Sequence, residues 1–73
     1  MGTPEYERVY EAIKARIESG QLKPGQVLPS IVALAEEYGT SQTTIKEAQR
    51  LLRFAGLIRG HQGRGVFVAD RPA

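Results

Sequence analysis

The chain has 73 residues, 41% of them hydrophobic, with a net charge of +2 and no cysteine. That length holds one small domain, which buries only about 60% of the surface its unfolded chain exposes. The absent cysteines exclude a disulfide framework or a thiolate metal site. No stretch reads as a bilayer span or a signal peptide, so the expected compartment is the cytoplasm.

The distribution of charge says more than its sum. Residues 1–40 carry four cations against six carboxylates, a balance of −2. Residues 41–73 carry Lys46, Arg50, Arg53, Arg59, Arg64 and Arg71 against Glu47 and Asp70, a balance of +4. A polyanion would be met by the C-terminal half. Taken alone, the same pattern equally describes an ordinary solvated surface.

In chain order, Thr3 is placed to cap a first helix, Pro4 suits its first turn, and Glu5 and Glu7 favour the positive end of its dipole. Tyr6, Val9, Tyr10, Ile13 and Ile17 recur at three- and four-residue steps and form one apolar face. Arg8, Glu11, Lys14, Arg16 and Glu18 fall on the solvent side, and Ser19-Gly20 ends the helix. Pro24-Gly25 then marks a turn, and Gln26-Val27-Leu28 reads as a short extended piece. Ser30 caps a second helix with Ile31, Leu34, Ala35 and Tyr38 facing inward, ended by Gly39.

Only Thr40 separates that glycine from Ser41, the cap of a third helix with an apolar stripe of Ile45, Ala48, Leu51, Leu52 and Ala55. Two amphipathic helices joined by so short a glycine-containing turn form a helix-turn-helix. Gly56 stops the third helix, and two β-prone runs follow, Leu57–Arg59 and Val66–Val68, with a glycine-rich polar segment between them. The predicted architecture is mainly α with a small β-hairpin: three helices plus a wing, a winged helix-turn-helix over residues 1–70. Residues 71–73 read as a tail or the start of a linker.

The order and spacing of several short pieces carry a resemblance. They are Ile17-Glu18-Ser19-Gly20, Leu22-Lys23-Pro24-Gly25, Leu28-Pro29-Ser30, Leu34-Ala35, Gly39-Thr40-Ser41, Thr44-Ile45-Lys46, Gly56-Leu57-Ile58 and Gly63-Arg64-Gly65-Val66-Phe67-Val68. Together they resemble the GntR-type bacterial transcription regulators from about Tyr6 to Ala69. The resemblance implies a cytoplasmic DNA-binding head that recognises short double-stranded operators as a homodimer, usually as a repressor. Relatives normally carry a larger C-terminal domain that binds an effector. None is expected within these residues, which read as an excised head or a naturally short relative.

The departures from the family are as telling. Where it usually places an acidic residue and then a DNA-touching arginine, this chain has Ile31 and Val32. Gln42 replaces one usual arginine and Lys46 another. The second change gives up the bidentate fork that reads guanine.

The candidate DNA-binding residues follow from chemistry. Ser41, Thr43 and Thr44 can donate to phosphate oxygens beside the helix start, although Ser41 also caps and Thr44 also suits packing. Gln42 is the base-reading candidate, since glutamine pairs in bidentate fashion with adenine. Lys46 lies on the same face four residues on, and Arg50 one turn further reaches toward the backbone. Arg53 suits the negative end of the helix dipole as a solvated residue. Arg59 is a phosphate contact on the hairpin. Gln62, Gly63 and Arg64 form the wing tip, where a cation between glycines can enter a narrow minor groove.

Other classes are weaker. His61 has no Cys or His partner for a metal site and no converging nucleophile, and no cofactor or enzymatic activity is expected. The aromatic residues Tyr6, Tyr10, Tyr38, Phe54 and Phe67 are spaced as core rather than as a stacking platform for single strands. The alternative is a winged-helix protein-interaction module with weak or lost DNA binding, which Val32 and Gln42 favour.

Overall fold

The structure, a computed structural model, describes residues 2–61 and 65–69. The wing-tip residues Gln62, Gly63 and Arg64, the side chain of His61 and the tail expected at 71–73 lie outside the described residues. Three helices are followed by one hairpin: α1 Glu5–Glu18, α2 Ile31–Tyr38, α3 Gln42–Phe54, β1 Ile58–His61 and β2 Gly65–Val68. This is the predicted winged helix-turn-helix. Among the described residues no helix is long and apolar enough to cross a membrane.

The N-terminus of α1 is built differently from the expectation. Pro4, not Thr3, occupies the capping position, and no side chain caps the helix. The Pro4 carbonyl instead accepts the N–H groups of Glu7 and Arg8 at 3.0 and 3.1 Å. The fixed φ of proline suits that half-helical position, so the backbone alone starts the turn. The α1 stripe then buries Val9, Ile13 and Ile17, with Tyr10 half-buried at its edge and Tyr6 exposed.

Arg16 is also corrected. It leans over the end of α2, donating to the Glu37 carboxylate and to the Tyr38 hydroxyl, each at 3.0 Å. The Tyr38 hydrogen bond foremost, and Glu37 with it, raise the Arg16 pKa against the lowering effect of burial. The guanidinium stays charged and ties α1 to α2.

Gly39 turns the chain between α2 and α3. Its φ of 63° is left-handed, a region open to glycine at no steric cost. The Gly39 and Thr40 N–H groups are satisfied by the Glu36 and Ala35 carbonyls. Thr40 in turn donates its hydroxyl to the Glu5 carboxylate at 2.6 Å, which moors the turn to the start of α1.

The core gathers one stripe from each helix: Val9, Ile13 and Ile17; Leu34 and Ala35; Ile45, Ala48 and Leu52. Leu22 and Leu28 from the connection and Ile58 and Val68 from the hairpin close it. The antiparallel hairpin pairs Ile58 with Val68 and Arg59 with Phe67. The predicted extended piece exists, since Val27 bridges to Phe67. The Leu28 N–H donates to the Val66 carbonyl and the Val68 N–H to that of Gln26, both at 2.8 Å. The wing therefore grows from a ribbon anchored on both sides of β2.

Candidate nucleic-acid interface

α3 presents its N-terminus to solvent on a rigid base. Ser41 is extended (φ −79°, ψ 158°), and its Oγ accepts the Thr44 N–H at 3.1 Å. The same hydroxyl donates to Thr44 Oγ1 at 3.0 Å. The Ser41 hydroxyl is thus committed to the helix, while Thr44, half-buried, retains its own hydroxyl proton for an outside acceptor. The N–H groups of Gln42 and Thr43 have no hydrogen-bond partner among the described residues. Such orphan donors at a positive dipole end are a ready anion site.

One turn of side chains follows from this start. Gln42, Thr43 and Lys46 are exposed, and Arg50 continues the row at the next four-residue step. Arg50 makes only a loose pair with Glu47 at 3.7 Å, its side chain 80% exposed. Surface pairs of that kind contribute little, so Arg50 is free to exchange partners. Beneath this row, Ile45, Ala48 and Leu52 are wholly buried, which fixes the rotation of α3 and the direction its polar side faces.

The wing root adds two cations. Arg59 is exposed on β1. Arg53, expected as a simply solvated residue, is exposed but lies across the hairpin: a Cβ at Gly60 would stand 3.3 Å from its guanidinium. Gly60 has no left-handed φ, so its missing side chain serves this close approach and not a turn. The sequence assigns Gly60 to the segment between the β-prone runs, but β1 extends through it to His61.

Two further residues stand out. Gln49 is only 6% exposed and borders a cleft lined also by the Leu28–Ile31 segment and Val66 on β2. Its place four residues after Ile45 and three before Leu52 sets it on the buried stripe, a signal legible in the sequence. Val32 is 52% exposed at the start of α2, so an apolar side chain faces water there. Ile31 beside it turns inward and packs on the core.

The expected aromatic core is partly overturned. Tyr10, Tyr38 and Phe67 are half-buried, but Phe54 is 94% exposed at the C-terminal end of α3. It lies two residues after Leu52, about 200° around the helix and therefore on the opposite side from the core. Among the described residues no cluster of His, Cys, Asp or Glu could hold a metal ion.

Comparison with known proteins agrees with this geometry. Residues 5–68 match the family described as bacterial regulatory proteins, gntR family. The mannosyl-D-glycerate transport/metabolism system repressor MngR of Escherichia coli is 36% identical over 67 residues, 92% of this chain and 28% of that protein. The histidine utilization repressor of Klebsiella aerogenes is 42% identical over 67 residues, with the same two coverages. The chain thus spans little more than a quarter of the length of these curated relatives. Among solved structures, AraR(DBD) in complex with operator ORR3 superposes with a TM-score of 0.89 at 36% identity, covering 94% of this chain and 83% of that one.

Proposed function

The chain belongs to the gntR family of bacterial regulatory proteins, and from that premise we propose that it is the duplex-reading head of a bacterial transcription regulator, acting in the cytoplasm as a repressor. The observation that carries this reading is the free N-terminal pole of α3. Gln42, Thr43 and Lys46 are exposed there, and the Gln42 and Thr43 N–H groups are unpartnered among the described residues, over a base too well packed to rotate. A helix end of this kind fits the major groove, where first-turn side chains meet base edges.

The roles divide by chemistry. Thr43 and Thr44 donate to phosphate, while Ser41 holds the helix start open and contacts phosphate through its backbone. Gln42 reads adenine through N6 and N7. Lys46 reaches a base or a phosphate, Arg50 and Arg59 neutralise phosphates, and Gln62, Gly63 and Arg64 carry the wing into the minor groove. Val32 offers no charge at the start of α2, so binding leans on α3 and the wing. Two heads pair on the operator as a homodimer, each covering one half-site. Nothing in this reading calls for a cofactor or an enzymatic step.

Salt dependence and site selection test it together. With Lys46, Arg50, Arg59 and Arg64 each neutralising a phosphate, log affinity should fall with log salt at a slope of about −3 to −4 per head. Selection from a randomised duplex pool should return a symmetric site, and replacing its critical adenine should cost about 1–3 kcal/mol in the wild type and far less in Gln42→Ala. A flat salt response would overturn the phosphate assignments. A base-substitution series without loss at any adenine would overturn the role of Gln42. Failure to bind any duplex would return the chain to the class of protein-interaction modules, the reading that Val32 and Gln42 favour.

A further inference from the structure

Reading a duplex leaves the other pole of α3 unused. Phe54 projects almost wholly into water there, flanked by Tyr6 from α1 and by Leu51. Two shallow clefts share its ring. One, of about 390 Å³, is floored by Tyr6, Tyr10 and Leu51 and edged by Glu7 and Glu11. The other, of about 290 Å³, shares Tyr6 and Leu51 and is edged by Glu47 and Arg50. With Tyr6 and Leu51 beside it the ring forms a contiguous apolar patch, the kind of surface on which partners dock.

The charge at the edge of the clefts selects the occupant. Three carboxylates, Glu7, Glu11 and Glu47, line them against the guanidinium of Arg50, which pairs only loosely with Glu47 and, on the proposed reading, leaves it for phosphate when duplex is bound. Lys14 adds a cation beside the Tyr10 ring, 5.9 Å from its centroid, without reversing the sign. An acidic rim repels nucleic acid and anionic lipid. It also sets like charge against like if two copies meet symmetrically through this face. It complements a protein segment that brings an apolar side chain flanked by lysine or arginine.

We infer that the Tyr6–Leu51–Phe54 face docks a cationic amphipathic segment of a partner protein. Phe54 stands about 18 Å along α3 from Gln42 and one turn beyond Arg50, which borders both surfaces, so the base-reading end and the aromatic anchor can be occupied at once. The aromatic ring is the anchor, and the carboxylates steer and orient the segment.

The test is an NMR titration of the isotope-labelled chain with a Leu/Lys amphipathic helical peptide and with its Leu/Glu counterpart. The cationic peptide should shift the amides of Tyr6, Leu51 and Phe54 saturably and bind at least about tenfold more tightly than the acidic one. Phe54→Ser, checked for an unchanged fold by its amide dispersion, should weaken the cationic peptide by about tenfold or more. The double variant Glu7→Lys/Glu11→Lys should erase the preference between the peptides. Equal binding of the two peptides, no saturable shift from either, or shifts confined to the N-terminal pole of α3 would overturn the proposal. A dimer in sedimentation that Phe54→Ser abolishes would also overturn it, by assigning the face to a second copy.

Discussion

At its N-terminal end α3 shows water Gln42, Thr43 and Lys46, whereas at its C-terminal end it shows Phe54. One helix therefore carries two exposed surfaces of opposite chemistry, joined by a single buried stripe of Ile45, Ala48 and Leu52. The polar end is tied by side chains as well as by backbone. Ser41 caps it, Thr40 moors the turn before it to Glu5, and Gly39 sets the chain direction. The apolar end is closed by backbone alone: the Ala55, Gly56 and Leu57 N–H groups donate to the Leu51, Arg53 and Leu52 carbonyls around a left-handed Gly56. Precise side-chain geometry is what base reading demands, and the restraints sit where that demand falls.

If both ends hang on one core, the largest effect comes from damaging that core. Leu34 of α2 is fully buried in the core that the three helices share. Leu34→Ala should cost about 2–5 kcal/mol. That is a large fraction of the stability a domain this small can have. In a denaturant titration followed by NMR, the amides of Gln42 and Phe54 should report one transition, at a lower midpoint than in the wild type. Two separate transitions would break the comparison, making the ends independent units.

A smaller change sharpens it at the polar end alone. Ser41→Ala removes the side chain that accepts the Thr44 N–H and occupies Thr44 Oγ1. The expected loss is about 1 kcal/mol of stability, typical of a helix cap. Duplex affinity should fall as well, because the first turn of α3 frays where the phosphate contacts begin, while the Phe54 end should keep its amide shifts. Unchanged stability in chemical denaturation would mean that the cap is dispensable and that the packing beneath α3 alone orders its first turn.

The same division explains what could be read from the sequence. The boundaries of α2 and α3 were legible because Ser30, Ser41 and Gly39 are local signals whose physics needs no tertiary partner. The buried stripes were legible because periodicity reports them. Arg16 was not, since its partners Glu37 and Tyr38 are more than twenty residues away and its long side chain can turn inward from a nominally wet face. The position of Arg53 over Gly60 likewise depends on a hairpin folding back along α3. Gln49 and Phe54 differ from these. By its spacing Phe54 is expected in the core and Gln49 draws no expectation, whereas their angles around α3 from Ile45 and Leu52 set the ring outside and the glutamine inside. Where period and polarity disagree, the period won at both positions.

Phe54→Ser isolates the apolar end and should have the smallest effect on the fold. A buried phenylalanine truncated to a small residue costs about 3–5 kcal/mol, but this ring is 94% exposed and its removal leaves no cavity. Serine and phenylalanine have similar helix propensities, so the last turn of α3 should not suffer. The stability change should therefore stay within about 0.5 kcal/mol, and duplex affinity should be unaltered at any salt concentration. Chemical denaturation and a duplex titration of the same sample measure both. A loss above about 1 kcal/mol would show the ring packing on Tyr6 and Leu51 in solution, and the C-terminal end would then be an extension of the core instead of a surface kept open.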